Sequence, residues 1–197
     1  DDLLFRAEKM LQEGAAILDL GAVSTRPGAV TVSTDEEKTR LFPALGALID
    51  RFPEAIVSVD TWRADVALEC CLMGAGIIND ISGGQFDTAM HEMIAKQDAA
   101  YVLMHIQGNP QTMQISPSYA NVTGDIADFF AEQLVKNELK GKKNIILDPG
   151  FGFGKRLEDN FNLLNNLDAF LSFGLPLMAG VSRKSMINKV LGTIPDN

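Results

Sequence analysis

Cysteine is almost absent from the 197-residue sequence: there are 2, Cys70 and Cys71, side by side. Adjacent cysteines neither build a disulfide framework nor match the spacing of a zinc site, so inert thiols in a reducing compartment are the expectation. Histidine is as scarce, with 2. His91 and His105 have no H-x-x-x-H or cysteine partner, which leaves no convincing metal triad and no Ser/His/Asp arrangement. Positive charge is in deficit, 17 Lys and Arg against 26 Asp and Glu, for a net charge of -9. Such a surface repels a phosphate backbone or an anionic bilayer, so neither nucleic acid nor membrane is an expected partner. An anionic substrate would need a local cationic cluster. No apolar run approaches the roughly 18 residues of a membrane span, and the start DDLLFRAEKM is too acidic for a signal peptide. Cytoplasmic location is the resulting expectation.

What is present is ordinary globular composition, 46% hydrophobic and 22% charged, over a length that fits one domain across residues 1–197. Periodicity predicts a helix over 3–14, a strand over 15–20, and a Gly/Ser/Thr/Pro-rich loop over 21–30. A helix capped by Ser33 or Thr34, with Glu36 and Glu37 in its first turn, runs on through Leu48. The same unit then recurs: strand 55–59 ending at Asp60, helix 63–73, strand 76–78 ending at Asn79-Asp80, helix 88–96, strand 100–104 ending at His105. After a polar loop over 107–119 come a helix over about 122–140, strand 145–147, helix 157–171, strand 177–181 and a helix from about Lys184. Six strands alternating with seven helices predict βα units and a parallel sheet, either doubly wound or part of a closed barrel. The dinucleotide fingerprint and the Walker A sequence are both missing.

The stretch NIILDPGFGFGK, residues 144–155, is the centre of the pattern. Ile145-Ile146-Leu147 is a buried strand that delivers Asp148 where Pro149-Gly150 end it. Three glycines then hold an open turn that carries Phe151 and Phe153 and finishes on Lys155. A carboxylate, an aromatic wall and a cation at the carboxyl end of a buried strand suit a small-molecule pocket. Helix capping by Asp148 and simple turn-making by the glycines are the plainer explanation. Position argues for the site, because every strand ends in polar groups: Asp19, Asp60, Asn79-Asp80, His105, Asp148 and Ser182-Arg183-Lys184. In a parallel sheet all of these ends lie at one edge. Asp60, Asn79 and Asp148 together supply acceptors for a flat, donor-rich heterocycle. Arg26, Arg183 and Lys184 can neutralise an anion, and Ser182 can donate to a carboxylate.

The segments STRPG (24–28), VDT (59–61), IND (78–80), LDPGFGFGK (147–155) and SRKS (182–185), in this order and at these spacings, resemble the dihydropteroate synthase family, and the resemblance covers essentially the whole chain. It implies a (β/α)8 TIM barrel and the condensation of 6-hydroxymethyl-7,8-dihydropterin diphosphate with para-aminobenzoate, releasing pyrophosphate, in folate biosynthesis. It implies pterin-binding roles for Asp60, Asn79, Asp148 and Lys184, with Met104 and Gly180 as pocket wall. For para-aminobenzoate it implies Thr25, Arg26, Phe153 and Ser182, with Thr25 and Arg26 on a mobile loop. Asp148, Lys184 and Arg26 become the expected catalytic residues. Magnesium, a homodimer and sulfonamide binding are implied as well.

The chain departs from the family pattern at both ends. The first strand, where the family places a metal-binding asparagine, and the last, with an Arg-x-His anion site, are not in the sequence, so no metal ligand is assigned in this chain. The expectation is a truncated or partly ordered barrel. Two other readings stand beside the synthase: a methyltetrahydrofolate:corrinoid methyltransferase, which uses similar pterin-binding Asp and Asn residues, and a non-catalytic fragment that binds pterin.

Overall fold

The computed structural model describes residues 2–25, 32–136 and 139–193. Five strands, β1 (Ile17–Gly21), β2 (Ile56–Asp60), β3 (Ile77–Asp80), β4 (Ala100–Met104) and β5 (Ile145–Asp148), lie in chain order in one parallel sheet. The helices around them are α1 (Asp2–Gln12), α2 (Thr34–Arg51), α3 (Ala64–Met73), α4 (Met90–Ala95), α5 (Val122–Leu134), α6 (Leu157–Asn165) and α7 (Ser185–Leu191). Local chemistry sets their ends. Ser33 caps α2 by accepting from the Glu36 amide at 3.2 Å, with Asp35, Glu36 and Glu37 against the positive end of the helix dipole. At the other extreme, α3 stops at Gly74, whose φ of 111° closes the helix in a left-handed turn.

Side chains alternate across a strand, and residues paired across a ladder share a face. Leu18, Val57, Val59, Ile78, Tyr101, Leu103, Ile145 and Leu147 all point to the outer face, where they form the core with α2 residues Leu41, Leu45 and Leu48, Ile94 of α4, and Ile126 and Phe130 of α5. Burying each such leucine or isoleucine stabilises the fold by about 2 kcal/mol. The inner face carries the other set. Its register pairs Asp19 with Ser58, Asp60 with Asn79, and Met104 with Asp148. Near β1 this face is open, with Ile17 43% and Ile56 49% exposed. The architecture is that of a partial (β/α) barrel, and among the described residues no helix is long and apolar enough to cross a membrane.

Three predicted elements differ. The strand over 177–181 is only a parallel bridge, Leu147 to Leu177: the Leu147 amide donates to Pro176 O at 2.9 Å and the Met178 amide to Leu147 O at 2.8 Å. The Val181 amide then turns back to Ala179 O at 3.1 Å, which takes the chain off the ladder. The helix predicted over 157–171 breaks at Asn166, where both the backbone amide and Nδ2 of Asn166 bond to Asn162 O, and continues as a 3-10 segment over Leu167–Phe173. The helix predicted to reach residue 140 ends at Leu134, as α5 tightens into the Lys136-to-Gln133 bond.

Candidate functional site

Asp60, Asn79 and Asp148 all stand at the inner-face ends of their strands. The Asn79 Nδ2 donates to Asp19 Oδ2 at 3.2 Å, which aims the Asn79 carbonyl away from β1. That carbonyl oxygen and Asp60 Oδ1 are both buried with no hydrogen-bond partner among the described residues. Buried acceptors without partners are rare because each forfeits its water. Burial, followed by the neighbouring charges of Asp19 and Asp80, pushes the Asp60 carboxyl up to about 8. Asp148 Oδ1 accepts from the Gly150 amide at 2.8 Å. Burial raises the pKa of Asp148 too, opposed by that bond and by the charges of Lys155 and Lys184.

Asp80 and His105 do not join this group. Asp80 faces outward, as the alternation requires, and accepts from the Ser82 amide and hydroxyl, the Gly84 amide and the Tyr101 hydroxyl, the last at 2.8 Å. It is a clamp on the loop after β3. His105 packs against the rings of Phe129 and Tyr119, 5.1 and 6.0 Å away, and burial together with the Lys155 charge lowers it to about 3.

The loop from Asp148 to Lys155 needs its glycines. A Cβ on Gly150 (φ 71°) would lie 2.0 Å from His105 O, and one on Gly154 (φ 60°) 2.5 Å from Gln107 O. Polar side chains hold the loop open: the Gly152 amide donates to Asn160 Oδ1 at 2.7 Å, Gln114 Nε2 to Gly152 O at 2.7 Å, and the Tyr119 hydroxyl to Gly154 O at 2.7 Å. Phe153 is thereby set between two spaces. On one side it packs on Met104, Ile81, Ile106 and Met113. On the other it lines a cleft of about 730 Å³ together with Thr25, Ser182, Arg183 and Lys184.

The Lys184 ammonium lies 4.4 Å from the centroid of the Phe153 ring, a cation–π contact. Burial lowers its pKa, opposed by the Asp148 charge. Arg183, at φ 55°, is the one non-glycine residue with positive φ among the described residues. This bend turns Ser182 and Lys184 into the same cleft. Gly180 has open space where a Cβ would stand. Arg26 lies outside the described residues.

Two halves thus meet at Phe153 and Lys184: an inner-face half with Asp60, Asn79, Met104 and Asp148, and a cleft half with Thr25, Ser182 and Lys184. The predicted residues that are described all fall in one half or the other, apart from Gly180, which borders neither set of contacts. Sequence reasoning did not place Asn160, Gln114, Tyr119, Ile81 or Met113. Only their contacts reveal them, since Asn, Gln and Tyr at those positions carry no motif. Among the described residues no three His, Cys, Asp or Glu side chains gather to hold a metal ion.

The model of the family described as pterin binding enzyme matches residues 1–196. The chain is 44% identical over 196 residues to the dihydropteroate synthase of Escherichia coli strain K12, covering 98% of this chain and 69% of that one. Two solved structures overlay closely. The Yersinia pestis dihydropteroate synthase with a sulfonamide drug complex gives a TM-score of 0.92 at 43% identity, covering 98% of this chain and 70% of that one. The Thermus thermophilus enzyme in complex with 4-aminobenzoate gives 0.87 at 41% identity, covering 96% and 72%.

Proposed function

The chain belongs to the pterin-binding enzymes, among the dihydropteroate synthases of folate synthesis, and from that premise we propose which of its side chains do the work. The observation that carries the assignment is the pair of buried, partnerless acceptors, Asp60 Oδ1 and Asn79 Oδ1, on the face that also bears Asp148. A pterin presents ring N–H and amino donors along one edge, and three acceptors on the inner face at the ends of β2, β3 and β5 read such an edge. Met104 supports the flat ring from the apolar side.

Para-aminobenzoate then occupies the cleft half. Ser182 donates to its carboxylate, Phe153 stacks on its ring, and Thr25 and Arg26 cover it. The reaction is substitution at the methylene carbon of the pterin: the arylamine nitrogen forms the new carbon–nitrogen bond, the carbon–oxygen bond to the diphosphate breaks, and the amine proton leaves to solvent with pyrophosphate as the second product. Asp148, held against the pterin, stabilises positive charge that builds as the carbon–oxygen bond loosens. Lys184, poised between Asp148 and Phe153, orients both substrates. Catalysis rests on positioning and fixed charge, and none of the residues acts as a covalent nucleophile.

The resemblance also implies magnesium on the diphosphate. Among the described residues no three His, Cys, Asp or Glu side chains gather to hold that ion, and no step is assigned to it. A homodimer, a cytoplasmic location and sulfonamide binding in the cleft half belong to the same proposal.

The test is calorimetric titration of the full gene product with 6-hydroxymethylpterin diphosphate, followed by para-aminobenzoate. Aminobenzoate binding that appears only after the diphosphate supports the reading. Aminobenzoate binding to the pterin-free protein with equal affinity overturns the two-half arrangement.

A further inference from the structure

Lys155, which closes the glycine loop, has no role in the assignments above, yet it is only 3% exposed. Its ammonium is 3.1 Å from His105 Nδ1, donates to Phe153 O at 3.1 Å, and reaches His105 O at 3.4 Å. No ion pair holds it among the described residues; its hydrogen-bond partners are a neutral imidazole and two carbonyls. A buried lysine with only neutral partners is an expensive arrangement, so its placement asks for a reason. The charged and titratable groups that face it are Asp148 at the end of β5, Asp159 in the first turn of α6, Lys184 before α7, His105 after β4, and the Tyr119 ring at 6.0 Å. Asp148 is the strongest of these in favour of the charge, and Asp148 in turn is faced by Lys155 and Lys184.

We propose that Lys155 is a positioning residue: its ammonium ties the glycine loop to the end of β4 and supplies the buried positive charge that keeps Asp148 an anion on the inner face. Two effects follow from one group. By holding Phe153 O, Lys155 fixes the ring that divides the two substrate subsites. By facing Asp148, it offsets the desolvation that would otherwise protonate that carboxyl. Burial opposes this by lowering the pKa of Lys155 to about 7, with Asp148 and Asp159 working the other way. The inference rests on the pterin reading of Asp148.

The experiment measures the affinity of 6-hydroxymethylpterin diphosphate from pH 5 to 9, and the KM for para-aminobenzoate, in the full gene product and in Lys155→Met and Lys155→Gln. Methionine keeps the volume and removes both charge and donors. Glutamine keeps donors for the carbonyls without the charge. In Lys155→Met the acid limb of pterin binding should move up by about one pH unit, as expected when a facing charge is removed from a carboxylate, and the aminobenzoate KM should rise severalfold. Lys155→Gln should recover much of the KM while keeping the displaced limb, and it carries the test if the methionine variant does not fold. Asp60, whose charged neighbours are Asp19 and Asp80, is not moved by either change. An acid limb identical to wild type in whichever variant folds overturns the proposal. Failure of the wild-type protein to bind the pterin at all sinks the functional reading instead.

Discussion

Asp60 and Asn79 stand opposite each other in register on β2 and β3, and each withholds one buried oxygen from any bond among the described residues. The protein tolerates an unfavourable arrangement there in its free state. A donor-bearing ligand relieves it, so stability and affinity should trade against each other at this pair.

Asp60→Asn tests that trade. The carboxyl has a folded pKa of about 8 against an ordinary value of 3.8. A raised carboxyl pKa means the unfolded chain releases its proton first, so the native state loses stability as pH climbs from about 4 to 8 and the loss is complete above 8. Removing the group should therefore stabilise the ligand-free protein by roughly 5 kcal/mol more at pH 8 than at pH 4, while pterin binding is lost. Denaturant unfolding at the two pH values reads the difference, and equal stability changes at both would refute it.

Proton release on binding is a second consequence. At pH 7 the free Asp60 carboxyl is largely protonated, and pairing with ring N–H donors favours its anion. Pterin binding should expel a fraction of a proton, seen as a calorimetric heat that varies with buffer ionisation enthalpy. A heat independent of buffer would mean that the group keeps its proton in the complex.

Asp148→Asn preserves shape and the bond from the Gly150 amide while removing the charge. It should lower kcat/KM by about a hundredfold or more with the melting temperature nearly unchanged. An active variant would remove Asp148 from the mechanism.

Gly150→Ala places a methyl 2.0 Å from His105 O at a φ of 71°. Either the loop or the end of β4 must move, costing about 3 kcal/mol. Thermal unfolding should show the loss, and aminobenzoate affinity should fall with it because Phe153 shifts. By contrast Gly174→Ala, at φ 65° but with open space around it, carries only the backbone strain and serves as the control.

The strand-end residues are legible in the sequence because a buried parallel strand announces itself as an apolar run and its last polar residue stands at the carboxyl end of the sheet. The strand-end positions of Asp60, Asn79 and Asp148 follow in this way, and the register puts all three on the inner face. Asp80 is not separable from Asn79 by sequence, because strand ends alone do not tell which face a residue takes. The register resolves it: Asn79 pairs with Asp60 on the inner face, so its neighbour must point outward to Tyr101. The predicted sixth strand reduces to a bridge: Leu177 to Val181 has strand composition, and nothing in composition reports the turn of Val181 back to Ala179. Lys155 was visible as the end of a motif, but its burial depends on where His105 and Phe153 fold around it.

The alternation of the five strands divides the sheet into two mutually independent sets of positions. Residues such as Val59, Ile78 and Leu147 pack into the core on the outer face, while their immediate neighbours Asp60, Asn79 and Asp148 stand on the inner face. Mutational tolerance should therefore oscillate along each strand. A library randomised at inner positions alone would search for new ligands on a scaffold whose folding is left to residues one peptide bond away.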